Sequence, residues 1–132
     1  MKRKLYNALI EWKNDPDRKP LVLEGARQVG KTWLLKEFGK NEFDNLLYVN
    51  CHDDERMQNL FQQDLHVERI MQALQAFSGQ PIITGKTLIF IDEIQEAYRG
   101  LDSLKYFCEN ARDQHIVVAG SLLGVTHRPG ES

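Results

Sequence analysis

Apolar residues in this chain recur with two different periods. Between about Arg3 and Asn14, Leu5, Leu9, Ile10 and Trp12 gather on one side of a 3.6-residue period, which predicts an amphipathic helix. Asn14-Asp15-Pro16 and Lys19-Pro20 break it as a loop. Leu21-Val22-Leu23 is then a short apolar run ended by Gly25, which suits a buried strand. Helical spacing returns from about Lys31 to Gly39, with Trp33, Leu34, Leu35 and Phe38 as the apolar face and Gly39 as the expected C-terminal cap. Leu46 to Val49 reads as the next strand. Asp53, Asp54 and Glu55 open a polar helical segment, with acids at the end where the helix dipole favours them. Val67, Ile70, Met71, Leu74 and Phe77 follow at helical spacing, closed by Ser78-Gly79, and Met71 is expected in the core. Thr87 to Ile91 is the strongest strand. Leu101, Leu104, Phe107, Cys108 and Ala111 make a further amphipathic helix. His115 to Ala119 is a fourth strand, ended by Gly120-Ser121, and no pattern is legible from Thr126 to Ser132. Short apolar strands alternating with amphipathic helices predict an α/β fold, a parallel sheet covered on both faces.

The length of 132 residues is one domain's worth, so residues 1–132 are expected to form a single core that needs no disulfide support. Seventeen Lys and Arg against nineteen Asp and Glu leave a formal charge of −2, which excludes a strongly basic nucleic-acid surface overall. The one dense basic run, Lys2-Arg3-Lys4, reads as a solvated N-terminal turn. Cys51 and Cys108 are far apart and form no C-x-x-C pair, which favours a reducing, cytoplasmic setting and small buried thiols. No apolar run approaches the roughly 18 residues needed to span a bilayer, so no membrane association is expected.

The chemistry begins at Gly25-Ala26-Arg27-Gln28-Val29-Gly30-Lys31-Thr32, an ungapped match to G-x-x-x-x-G-K-[ST]. Glycines let backbone approach phosphate oxygens without a Cβ in the way. Successive N–H groups then cradle the anion, and the following helix presents its positive end. Lys31 is placed to put an ammonium between β- and γ-phosphates, and Thr32 to offer its hydroxyl to Mg2+. A chance match in a chain this long is on the order of one in a few hundred. The strand before it and the helix after it supply the required setting. The cofactors expected are therefore ATP and Mg2+, with Gly25 to Thr32 and the adjoining Trp33 as nucleotide-binding residues.

Such a loop needs a carboxylate at the end of a neighbouring strand to hold the metal. Leu88-Ile89-Phe90-Ile91-Asp92-Glu93 supplies one, with the acid where the strand emerges. Asp92 is the expected metal-side residue beside Thr32, and Glu93 the base that orients or deprotonates water. The plainer alternative is that Asp92 caps a helix and Glu93 occupies its first turn. A second acid favours hydrolysis over transfer to a metabolite, and the sequence offers no acceptor pocket or lid for a small-molecule kinase. Ser121, just past the fourth strand, is placed to touch the γ-phosphate or its water.

These residues resemble one family. The segments G-A-R-Q-V-G-K-T-W-L-L, L-I-F-I-D-E-I-Q-E-A and V-V-A-G-S-L-L-G-V are similar to those of the AAA domain, type 14, a group of prokaryotic AAA+-like ATPases, over about Leu5 to Val125. With the four strand segments above numbered in chain order, the resemblance implies a P-loop NTPase three-layer sandwich of sheet order β1-β4-β3-β2. It assigns Gly25 to Thr32 as Walker A, Asp92 and Glu93 as Walker B, and Ser121 as the sensor-1 position. It implies ATP over GTP, in agreement with the lack of an N-K-x-D string. It also implies ring-forming homo-oligomers and a longer chain: a fifth strand, a lid, and a C-terminal nuclease-like domain through which nucleic acid would be met. The present chain stops at Ser132, so it is expected to be truncated on its C-terminal side, which would leave the phosphate-loop strand at a sheet edge. Alone it is expected to hydrolyse ATP slowly or to act only as a nucleotide-binding module. Arg112 and Arg128 are the positional candidates for an arginine acting on a neighbouring subunit.

Overall fold

The structure is a computed structural model, and it describes residues 2–25 and 29–121, without the side chains of Lys2 and Val29. Ala26, Arg27 and Gln28 of the phosphate-loop motif lie outside the described residues, as does Arg128. In chain order the elements are α1 (Lys2–Asn14), β1 (Leu21–Glu24), α2 (Val29–Glu42), β2 (Asn45–Asn50), α3 (Glu55–Asn59), α4 (Val67–Ser78), β3 (Thr87–Asp92), a 3-10 turn (Ile94–Glu96), α5 (Ser103–Asn110) and β4 (His115–Gly120). Among the described residues the four strands form one parallel sheet of order β1-β4-β3-β2. The α/β architecture and strand order are those the sequence and its resemblance led us to expect.

The two-residue period of a strand divides the core between the two faces of the sheet. Leu88 and Phe90 of β3, with Val117 and Ala119 of β4, pack under Leu9 of α1 and Leu35 and Phe38 of α2. Ile89 and Ile91, with Ile116 and Val118, pack with Ile70 and Leu74 of α4 and Phe107 of α5 on the opposite face. All six residues of β3 are buried, as a central parallel strand requires. Met71 packs against this second core, as expected. Asp54 caps α3 by accepting from the N–H groups of Arg56 and Met57. Cys51 is fully buried and Cys108 half-buried, and neither is in a disulfide. Arg3 and Lys4 of the basic run are exposed on α1.

Two elements differ from their expected form. β1 is half-exposed rather than buried. It lies at the edge of the four strands, where Leu21 and Leu23 face the α1–α2 core but Val22 and Glu24 are open. Gly39 does not end α2, which continues to Glu42. Its role is close packing: a Cβ there would lie 2.7 Å from Leu46 Cδ1 and 3.1 Å from Leu88 Cδ2, so glycine lets the helix sit directly on β2 and β3.

Two results are expected. Gly39→Ala should lower stability by about 1–2 kcal/mol in urea unfolding, because overpacking outweighs the better helix propensity. An unchanged or higher midpoint would contradict the close approach. The second concerns His115, buried at the start of β4 between the rings of Trp12 and Phe43, with its Nε2 3.3 Å from the Lys13 carbonyl. Burial, then the nearby Arg18 and Lys13 cations, lower its pKa to about 4. The fold prefers the neutral ring, so stability is full above the unfolded value near 6.5 and declines as pH falls from there to about 4. The decline should total on the order of 1–3 kcal/mol and be flattened in His115→Phe when midpoints are followed against pH.

Candidate functional site

In a parallel sheet the C-terminal strand ends form the ligand crevice. The register sets those ends level: Glu24 pairs with Gly120, and Asn50 with Asp92. Strand parity then decides which side chains meet. Tyr48 and Asn50 on β2, and Phe90 and Asp92 on β3, are in step with the residues that pack under α2. Asp92 is therefore turned toward the first turn of the helix that carries Lys31 and Thr32.

The Asp92 carboxylate is 7% exposed and fully engaged. Its Oδ1 accepts the Glu93 N–H at 2.9 Å. Its Oδ2 accepts from the Thr32 hydroxyl at 3.2 Å and from the Tyr48 hydroxyl at 2.9 Å. A buried carboxylate needs such donors to offset its lost hydration. Tyr48 lies edge-on to Phe90, with ring centroids 5.0 Å apart, and Lys36 Nζ sits 4.1 Å over its ring. Burial, then the charge of Asp92, raises the Tyr48 pKa well above its usual 10, so the phenol remains a proton donor at neutral pH.

Glu93 follows on different terms. It is 8% exposed and has φ 52° and ψ 47°, left-handed values unusual for a residue with a Cβ. This turn swings the chain from β3 into the 3-10 turn, held by Glu96 N–H to the Glu93 carbonyl at 3.0 Å and by buried Ile94. The plainer expectation, a helix capped by Asp92, is thus not met: three residues of 3-10 turn follow instead. The Glu93 Oε1 accepts from Gln95 Nε2 at 2.8 Å. The Gln95 Oε1 lies against Gly120, where a Cβ would overlap it. Gln95 so spans the gap between Glu93 and the end of β4.

Other expected residues fall nearby. Gly25 leaves β1 with its N–H bonded to the Gly120 carbonyl at 3.1 Å. A Cβ at Gly25 would lie 2.9 Å from Lys31 Nζ, so glycine leaves room for the ammonium, which donates to the Glu24 carbonyl at 3.1 Å. Gly30 lies in the first turn of α2, and Ser121 lies half-buried just past Gly120. Trp33 is 53% exposed. An open cavity of about 410 Å³ lies between α2 and the ends of β2 and β3, lined by Thr32, Trp33, Lys36, Tyr48, Asn50, His52, Asp92 and Glu93; Gly25, Gly30, Lys31 and Ser121 do not line it. Arg112 is elsewhere: it precedes β4, at the opposite end of the strands, and donates to the Asp17 carbonyl at 3.5 Å.

The arrangement suits a hard divalent cation and an anion. Thr32 and Asp92 offer oxygen only, the donor type Mg2+ takes. Lys31 and the N-terminal end of α2 offer positive charge beside them. Sequence reasoning missed Tyr48, Lys36 and Gln95. Gln95 had a signal, in the I-D-E-I-Q string, but Tyr48 and Lys36 read only as strand and helix residues.

Comparison with known families agrees with the resemblance. The model of a family described as an AAA domain matches residues 17–132. No match was found among curated proteins.

The left-handed turn at Glu93 generates a prediction. Strain of this kind costs of order 1–3 kcal/mol, and glycine relieves it. Glu93→Gly should therefore raise the thermal midpoint, by on the order of 1 kcal/mol in stability, despite loss of the Gln95 contact. A lower midpoint would show that the contacts of the Glu93 side chain stabilise the fold by more than the backbone strain costs.

Proposed function

The chain belongs to the AAA domain family, and from that membership we propose that it binds Mg-ATP between α2 and the end of β3 and hydrolyses it when a neighbouring subunit, lid or partner completes the site. The observation that carries the reading is the 3.2 Å contact between the Thr32 hydroxyl and Asp92 Oδ2. It joins the last residue of the phosphate-loop motif to the strand-end carboxylate, the pair that Mg2+ chemistry requires.

In this reading Gly25 to Thr32, with Trp33 beside them, form the nucleotide-binding segment. Lys31 moves its ammonium from the Glu24 carbonyl to the β- and γ-phosphates. Thr32 and Asp92 would hold Mg2+, which would supply positive charge to neutralise that developing on the phosphates. Glu93 holds the attacking water, with its carboxylate steered by Gln95 and by the left-handed turn. Ser121 offers a hydroxyl from the end of β4 to the γ-phosphate. Asp92 and Glu93 are buried at the end of β3, which strengthens the contacts these two carboxylates make. The unpaired thiols support a reducing, cytoplasmic setting. No helix among the described residues is long and apolar enough to cross a membrane. Assembly with further copies of the chain fits the family.

Two substitutions separate the roles. Lys31→Ala should abolish nucleotide affinity measured by calorimetry. Glu93→Gln should retain affinity and lose phosphate release, by about 10²-fold or more, the range for a positioned base. If Glu93→Gln weakens binding as much as Lys31→Ala, the division of labour is wrong.

A further inference from the structure

Asp92 Oδ2 is shared by two hydroxyls, and only one belongs to the phosphate-loop motif. The other comes from Tyr48, on the neighbouring strand. We propose that Tyr48 is a positioning residue for the metal site, holding the Asp92 carboxylate in the orientation from which it meets the cation. The proposal rests on the Mg-ATP reading above and names a residue that reading does not use.

The geometry supports it in three ways. First, the Tyr48 contact is the shorter of the two, 2.9 Å against 3.2 Å. Thr32 must turn its hydroxyl lone pairs to the cation when the metal is bound, whereas Tyr48 has no such second duty. Second, the Tyr48 ring is itself fixed. Phe90 packs against it, and Lys36 lies over its face. A cation over an aromatic ring holds it electrostatically and draws electron density from it, which makes the phenol a better donor. Third, Lys36 lies one helical turn beyond Thr32 on α2. Helix α2 therefore touches Asp92 twice, directly through Thr32 and indirectly through Lys36 and Tyr48. A shift of α2 on nucleotide binding would reach the carboxylate by both routes.

A hydroxyl that orients a metal-binding carboxylate without itself meeting the cation has a measurable signature. Its loss should cost metal affinity, typically 10–100-fold for such outer contacts, without touching the groups that hold phosphate. The test compares ATP dissociation constants of the full chain in Mg2+ and in EDTA, for the wild type, Tyr48→Phe and Lys36→Met, with thermal midpoints alongside. Tyr48→Phe keeps the ring, so its packing is retained.

In EDTA, Tyr48→Phe should match the wild type within about twofold. In Mg2+ it should bind ATP roughly tenfold more weakly. Lys36→Met, which keeps the hydroxyl but frees the ring, should lose a smaller share of the same metal preference. Equal weakening with and without metal would overturn the proposal, because it marks a structural role. Unchanged or tighter Mg-ATP binding would overturn it too, because the hydroxyl would then be idle or in competition with the cation. A wild type that prefers Mg-ATP beside a variant with the same preference removes Tyr48 alone. A wild type with no ATP affinity removes the reading of the site, and Tyr48 with it.

Discussion

A carboxylate taken out of water must be met by donors, and the site is arranged around meeting that demand at Asp92. Burial on β3 gives the acid its place, at the end of a strand whose six residues are all covered. The backbone N–H of Glu93 answers one oxygen, and hydroxyls from α2 and β2 answer the other. Each donor arrives because of a larger feature of the fold. Thr32 depends on where α2 starts, Tyr48 on the β2–β3 register, and the Glu93 N–H on the turn that follows. A slip of one residue between β2 and β3 would turn Tyr48 to the other face and strand the carboxylate. The close approach of Gly39 to Leu46 and Leu88 presses α2 onto these same two strands.

The second acid is held differently. Asp92 sits in regular strand geometry and is stabilised by its surroundings. Glu93 is placed by a left-handed turn that its side chain disfavours. Adjacent residues on a regular strand point to opposite faces, so two neighbouring carboxylates could not both serve one crevice without such a turn. The 3-10 turn, the Gln95 contact and the space at Gly120 then fix the redirected carboxylate. Local strain at a buried polar residue, compensated by neighbouring contacts, is the pattern expected where function outweighs stability.

The layered architecture was legible because it follows from periodicity. Strand β3 and the helices over its two faces declare themselves by spacing alone, and the resemblance supplied the strand order. Gly39 was misread because a cap glycine and a packing glycine look alike in one dimension. What distinguishes them is a contact with residues of β2 and β3. β1 looked buried because its apolar run is continuous, and only its edge position leaves Val22 open. Of the candidate site residues, Lys31 with Thr32 and Asp92 with Glu93 could be named from the sequence because each pair sits in a short local motif. Tyr48 and Lys36 were not, since their importance arises from the register of two strands and one helix turn. Gln95 lay between these cases, inside a recognisable string whose contact with Glu93 no spacing rule reveals.

In the proposed reading a single metal-nucleotide site lies between Thr32 and Asp92. Amide NMR spectra of the labelled chain, recorded with ATP and a trace of Mn2+ in place of Mg2+, would locate it. Paramagnetic broadening should be centred on Thr32, Asp92 and Tyr48, with His115 at the far end of β4 unaffected. Broadening centred instead on the acids Asp53 to Glu55, or no broadening at all with ATP present, would contradict that reading.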